Sequence, residues 1–320
     1  MSSTAPSKFS KQVIQRDGRS RLENCQNGLG LIKSEVAEKN TVTRTHAYYS
    51  PNVGVSVLRN LGNTCFFNSI IQALAHCRPL REFIMSSNYE QTDPFFTLFV
   101  KLLKTMWSDD WCLSPESFYV KFCMEFQKFN SDQEDAHEAI NFILDKFHEA
   151  LKYKIKFEDY NDDPLVKQSL QELEKISFSP IYDIFMGQYH QRVMCSACDH
   201  INHTFPTFTN VQLTLPQSGN KPISIHNLLE RFCRKETLQD CYNCDECKAK
   251  GVTAYKKTTF FRLPKVLVIQ FVRFNWNGQK NSRFIDYPIW NFDMTKYVNF
   301  PQNDDEKFLY DLTAVTVHLG

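Results

Sequence analysis

The chain has almost no charge imbalance. Thirty-seven lysines and arginines stand against 36 acids, for a formal net charge of +1 over 320 residues. That balance disfavours a dedicated nucleic-acid surface and leaves room only for a local basic patch. No apolar run approaches the roughly 20 residues that span a bilayer, and the polar N-terminus lacks the apolar core of a secretory signal. No internal repeat is found. The eleven cysteines are an odd number, scattered singly or as C-x-x-C pairs. Without a secretory signal, this usage points to an intracellular, reducing setting with thiol and metal chemistry, not to a disulfide framework. It does not separate nucleus from cytoplasm.

What is present is material for a large core. Apolar residues make up 42% of the chain, 27 of them Phe, which excludes a disordered protein. Residues 1–50 are polar and without sustained period. Lys8, Lys11, Arg16, Arg19 and Arg21 against Asp17 make their first part basic, and they read as a flexible leader.

From Leu58 to Gln72 a polar turn with a glycine runs into an apolar helical pattern of Phe66, Ile70, Ile71, Leu74 and Cys77. Cys65 sits at the joint, in the first turn of the predicted helix. Unpaired backbone N–H groups and the positive end of the macrodipole there favour a thiolate, which a cysteine nucleophile requires. Placement alone leaves open that Cys65 is a small buried apolar residue.

The first half reads as mostly helical. Phe95 to Trp107 is strongly apolar, Ser114-Pro115 supplies an N-cap and first-turn proline for a helix from Glu116 to Phe129, and Ser131-Asp132-Gln133-Glu134 is a capping-box pattern. Ala136, Ile140, Ile143, Phe147 and Leu151 then mark an amphipathic helix. The second half reads as strands over Gly187–Met194, Phe205–Leu215, Val252–Arg262, Val266–Phe274 and Leu309–His318, with Val266–Ile269 expected to be covered on both faces. Helices followed by strands predict an α+β architecture with two lobes.

Cys195-Ser-Ala-Cys198 and Cys244-Asp-Glu-Cys247 are two C-x-x-C pairs 45 residues apart, each beside a predicted strand. Two such knuckles complete a tetrahedral four-thiolate Zn²⁺ site, closed and therefore structural. Redox C-x-x-C motifs are the rival reading, which the paired arrangement disfavours. Cys241 is a spare thiol that would break the two-residue spacing. His200 and His203 read as hairpin residues.

Asn60-Leu61-Gly62-Asn63-Thr64-Cys65-Phe66 resembles the cysteine box of the ubiquitin-specific proteases, the papain-like thiol isopeptidases that remove ubiquitin. The paired knuckles, Phe185-Met186-Gly187-Gln188 before them, and Leu263-Pro264-Lys265-Val266-Leu267 through Arg273-Phe274 after them are similar to the same family. The resemblance covers about 53–320. It implies a papain-like cysteine peptidase: a helical thumb (about 51–180), zinc-ribbon β fingers (about 185–263) that grip the body of ubiquitin, and a partial β palm (about 264–320).

The resemblance also implies roles. Cys65 is the nucleophile, and Asn60 helps to bind the oxyanion beside the Cys65 backbone N–H. A bare reading makes Asn60 a turn residue, and the two uses are compatible. Gln133-Glu134-Asp135-Ala136-His137-Glu138 resembles the family's glutamine-aspartate-alanine-histidine box, in which Asp135 holds the extended tail of ubiquitin. Glu134 and Ala139 depart from the commoner residues there, and His137 is structural in the family. The family's base lies in a glycine-histidine-tyrosine motif soon after a strand like Leu312–Gly320, and His318 matches the strand histidine, not the base. The expectation is therefore a chain incomplete at its C-terminus, with little or no hydrolytic activity and exposed palm edges. Ubiquitin and ubiquitinated proteins are the implied partners, with a partner complex also compatible. A catalytically dead ubiquitin-binding module is the alternative from another class. A zinc-ribbon nucleic-acid binder is disfavoured by charge.

Overall fold

The computed structural model describes residues 54–86, 93–108, 112–126, 134–157, 163–216, 221–275, 277–299 and 307–318. The basic leader and the first three residues of the expected capping box at 131–134 lie outside them. The described chain forms two compact units. One contains residues 54–153, 178–184 and 312–318, the other residues 154–177 and 185–311.

The first unit is helical. It runs β1 (Val57–Leu58), α1 (Cys65–His76), α2 (Arg78–Met85), α3 (Pro94–Met106), β2 (Cys112–Leu113), α4 (Glu116–Glu125) and α5 (Ala136–Leu151). Short polar residues fix several starts. Asp93 Oδ1 accepts from the N–H groups of Phe95 at 2.8 Å and Phe96 at 3.3 Å, with Pro94 in the first turn where its missing donor costs nothing. Two starts differ from the sequence patterns. In α4 the cap position is Pro115, whose carbonyl accepts from Tyr119 N–H at 2.9 Å, so the Ser114 hydroxyl is not the cap. In α5 the cap is Asp135, whose Oδ1 accepts from His137 N–H at 2.8 Å, and the helix starts beyond the 131–134 box.

Phenylalanine fills this core. Phe67, Phe95, Phe96, Phe99, Phe118, Phe122 and Phe147 are fully buried, with ring centroids 5.0 Å apart for Phe67–Phe122, 4.9 Å for Phe95–Phe118 and 4.6 Å for Phe99–Phe147. Each buried ring contributes about 1.5–3 kcal/mol of transfer free energy, and tilted contacts add to it. Phe66, Phe67, Ile70, Ile71 and Leu74 seat α1 in this core, and α1 packs on α5. Cys65 thus begins a rigid helix.

The second unit opens with α6 (Pro164–Glu174). The short α7 (Pro180–Phe185) ends where this unit resumes. There follow β3 (Gly187–Cys195), β4 (Ile201–Thr204), β5 (Thr207–Phe208), β6 (Val211–Thr214), β7 (Ile223–Ser224), α8 (Ile225–Phe232), β8 (Glu236–Tyr242) and β9 (Val252–Arg262). The last strands are β10 (Ile269–Val272), β11 (Ile285–Asp286), β12 (Phe292–Asp293) and β13 (Leu309–Tyr310). The main sheet is antiparallel with order β4-β3-β9-β8, and β5 also pairs with β3. Gly187 is required at its start, because a Cβ there would lie 2.4 Å from Phe208 Cζ and 2.6 Å from the Arg262 carbonyl.

The predicted Val252–Arg262 strand is observed with the same limits, and the Gly187–Met194 strand gains one residue. The 205–215 run divides into β5 and β6, and the 266–274 run shortens to β10. β10 pairs in parallel with β6 and is half-buried, so the Val266–Ile269 run is not covered on both faces. Only Leu309–Tyr310 of the 309–318 run is strand. Residues 312–318 are exposed and lie in no strand, so the predicted run ends as strand at Tyr310.

Candidate active site and metal centre

Cys65 is the first residue of α1 and is solvent-exposed, which rules out the buried-apolar reading. The loop before it is tied by its own side chains. Asn60 Oδ1 accepts from Gly62 N–H at 3.0 Å, from Thr64 N–H at 3.4 Å and from the Thr64 hydroxyl at 3.0 Å. The Thr64 hydroxyl oxygen in turn accepts from Leu61 N–H at 3.0 Å. Gly62 at φ +96° and Asn63 at φ +48° take the left-handed conformations that let the chain reverse here. With its carbonyl oxygen committed to the loop, Asn60 keeps its amide NH₂ for another acceptor.

A polar stripe on α1 holds the incoming strand. Asn68 Nδ2 donates to the Arg59 carbonyl at 3.0 Å, Gln72 Nε2 donates to the Ser56 carbonyl at 2.8 Å, and His76 Nε2 lies 2.7 Å from the Gly54 carbonyl. These residues recur every four positions, so they share a face near that of Cys65. Arg59 N–H donates to the Leu113 carbonyl at 2.9 Å, which extends the β1–β2 ladder to the loop. The signal in the sequence is three polar residues, Asn68, Gln72 and His76, repeating every four positions along the helix.

Asp135 is exposed at the start of α5. One carboxylate oxygen caps the helix, and the other has no partner among the described residues. His137 Nε2 accepts from Asn141 Nδ2 at 3.1 Å one turn on. The Cys65 sulfur likewise has no hydrogen-bond partner among the described residues.

In the second unit the two C-x-x-C segments meet. The sulfurs of Cys195, Cys198, Cys244 and Cys247 all lie within 4.8 Å of one another, with Cys195–Cys247 at 4.0 Å and Cys198–Cys244 at 3.7 Å. The two turns are built alike. Cys195 N–H donates to the His200 carbonyl at 3.0 Å and Cys244 N–H to the Ala249 carbonyl at 2.9 Å, each five residues on. Asp199 (φ +55°) and Lys248 (φ +60°), each next after the second cysteine of its pair, are both left-handed. These thiols titrate together: backbone N–H from Cys247 holds the Cys244 thiol down at about 7, while at Cys198 the backbone N–H of His200 is outweighed by desolvation and by hydrogen bonds among the thiols, which push that thiol up. Cys241 is outside the cluster.

The family model for ubiquitin carboxyl-terminal hydrolases matches residues 57–320. The chain belongs to this family. Among relatives in the ubiquitin carboxyl-terminal hydrolase family, Usp2 of Drosophila melanogaster is 29% identical over 83% of this chain and 30% of its own length. Human ubiquitin carboxyl-terminal hydrolase 2 is 27% identical over 83% and 47%, and human ubiquitin carboxyl-terminal hydrolase 21 is 25% identical over 82% and 53%. The chain therefore spans about half, or less, of the length of these relatives. In fold it resembles the SAGA Ubp8/Sgf11/Sus1/Sgf73 DUB module bound to ubiquitin aldehyde, at TM-score 0.60 and 23% identity over 85% of this chain and 60% of the other. Yeast SAGA DUBm gives TM-score 0.58 at 24% identity, over 77% and 54%. No helix of the described residues is long and apolar enough to cross a membrane.

Proposed function

We propose that the chain acts on ubiquitin conjugates as a thiol-dependent deubiquitinase, with Cys65 attacking the carbonyl of ubiquitin's C-terminal glycine. The observation that carries this reading is an exposed cysteine at the first position of a buried-core helix, behind a loop locked by Asn60 and Thr64. Attack forms a tetrahedral oxyanion. The Cys65 backbone N–H and the Asn60 amide are its proposed donors, since the carbonyl end of Asn60 is already engaged. Collapse breaks the C–N bond, the lysine amine leaves with a proton, and water then cleaves the thioester. The uncommitted oxygen of Asp135 is the proposed acceptor for a backbone N–H of the extended ubiquitin tail.

The leaving amine needs a general acid. His137 Nε2 is engaged by Asn141, His76 faces the Gln72 and Gly54 carbonyls, and no described histidine of the first unit hydrogen-bonds the Cys65 sulfur. On that basis the 320-residue chain is proposed to turn over very slowly or not at all. This also supports a second reading, a ubiquitin-binding module without catalysis. Ubiquitin carrying a thiol-reactive C-terminus separates the two. Covalent labelling of this chain but not of Cys65→Ser supports the nucleophile, while ubiquitin binding without labelling supports the second reading.

The thumb, fingers and palm divisions, and ubiquitin with its conjugates as partners, belong to the same proposal. A partner complex, the form in which the SAGA DUB module is built, is compatible with it. Zn²⁺ is the proposed ion for the four cysteines. A Zn–S bond of about 2.3 Å in a tetrahedron sets S···S at about 3.8 Å, between the two observed separations. The ion would tie the β3–β4 and β8–β9 turns together and takes no part in the chemistry at Cys65.

A further inference from the structure

The register of the main sheet places four nitrogenous side chains in one row. His203 on β4 pairs with Arg192 on β3, and Arg192 pairs with Lys257 on β9. Glu236 of β8 pairs with Lys256, so Lys235 stands one step further, opposite Lys257. The Lys235 ammonium lies 3.8 Å over the Tyr255 ring, and Tyr255 points to the same face as Lys257. Like charges directly opposite one another are unfavourable in a sheet, yet no carboxylate pairs with Arg192, Lys257 or Lys235 among the described residues. The Arg192 charge also depresses the His203 pKa, after burial. The opposite face is different: there Lys256 stands across from Glu236.

A second row adjoins the first on the same face, made of Ile201, Met194 and Tyr255, with Ile201 41% exposed. We propose that this face docks a partner protein through an acidic segment that also carries apolar side chains. The three cations Arg192, Lys257 and Lys235 cross the sheet over about 10 Å at the usual strand spacing, with the neutral His203 at the end of their row, and the apolar row lies about 7 Å along the strands. An extended peptide with alternating carboxylates and apolar groups matches both rows. A phosphate backbone matches only the first, and the net charge of +1 does not favour it. The surface is independent of Cys65, so it stands whether or not the chain is catalytic.

The test uses the full 320-residue chain and a fluorescein-labelled peptide of alternating glutamate and leucine, read by anisotropy, beside single-stranded DNA of equal charge. Expected is saturable peptide binding that weakens as salt rises. The R192E/K257E double variant should bind at least about tenfold more weakly, while K221E, an equal charge change per site elsewhere on the surface, binds as wild type. Folding of the variant is checked by its retained metal content, with R192Q/K257Q as the milder pair should the reversal not fold. The proposal is overturned by equal binding across all variants, by absence of peptide binding to the wild type, or by DNA binding more tightly than the peptide.

Discussion

The Asn60 side-chain oxygen accepts the hydroxyl of Thr64 at 3.0 Å, closing the loop that delivers Cys65 to the start of its helix. Thr64 is fully buried and both donates and accepts within this loop. Replacing it by Val keeps the shape and removes both bonds, leaving Leu61 N–H without its acceptor. The expected cost is about 1–3 kcal/mol, with slower labelling of Cys65 by a thiol-reactive ubiquitin, and Thr64→Ser should restore most of both. Chemical denaturation and labelling rates check this. A Val variant as stable and as reactive as wild type would show that these two bonds do not position Cys65.

Gln72 offers a more local test. Its amide holds the Ser56 carbonyl, and Ser56 Oγ donates to the Met106 carbonyl at 2.8 Å, so the strand ahead of Cys65 is clamped from two sides. Gln72→Leu should leave the helix intact and cost about 1 kcal/mol. Hydrogen exchange at the Arg59 amide should accelerate, since its bond to Leu113 then rests on a looser strand.

Metal removal should destabilise the sheet unit. We expect one zinc per chain by elemental analysis, and a lower melting temperature after chelation or in Cys244→Ser. Affinity should fall as pH drops below 7, because thiolate ligands must lose their protons. A chain that purifies without metal and melts identically with and without chelator contradicts the four-thiolate site.

Acid should weaken the fold through His190. Asn299 Nδ2 donates to its Nδ1 at 2.9 Å, and its Nε2–H donates to His203 Nδ1 at 2.7 Å, a chain that requires a neutral ring. Burial holds the His190 pKa down at about 4, against an ordinary 6.5. Between those values the unfolded chain binds more protons than the folded one. The contribution to stability is therefore complete above about pH 6.5 and is lost as pH falls toward 4. Melting temperatures over this range should fall more steeply for wild type than for His190→Gln; parallel curves would exclude His190 as the cause.

Much was legible in the sequence because the information is local. The Cys65 helix announces itself by turn residues followed by an apolar stripe, and each C-x-x-C pair carries its own turn. β9 is a long run of aromatic and β-branched residues bounded by a glycine and a proline, and its limits were read directly. Other elements were not legible. β8, Glu236–Tyr242, is polar and takes its strand character from pairing with β9, while α8 is eight residues behind a Ser224–Asn227 capping box that the strand pattern around it obscured. The 312–318 run has the right residues for a strand, but pairing with β12 stops at Leu309–Tyr310 and the run beyond is exposed.

The sequence by itself therefore determined which cysteine begins a helix, which four can share an ion, and the order of helices before strands. All three depend on spacings of a few residues. Tertiary structure alone decided that Cys65 is exposed, that Gln72 holds the Ser56 carbonyl, and that Arg192, Lys257 and Lys235 share one face. Those outcomes depend on packing and on strand register, which bring together residues far apart in the chain.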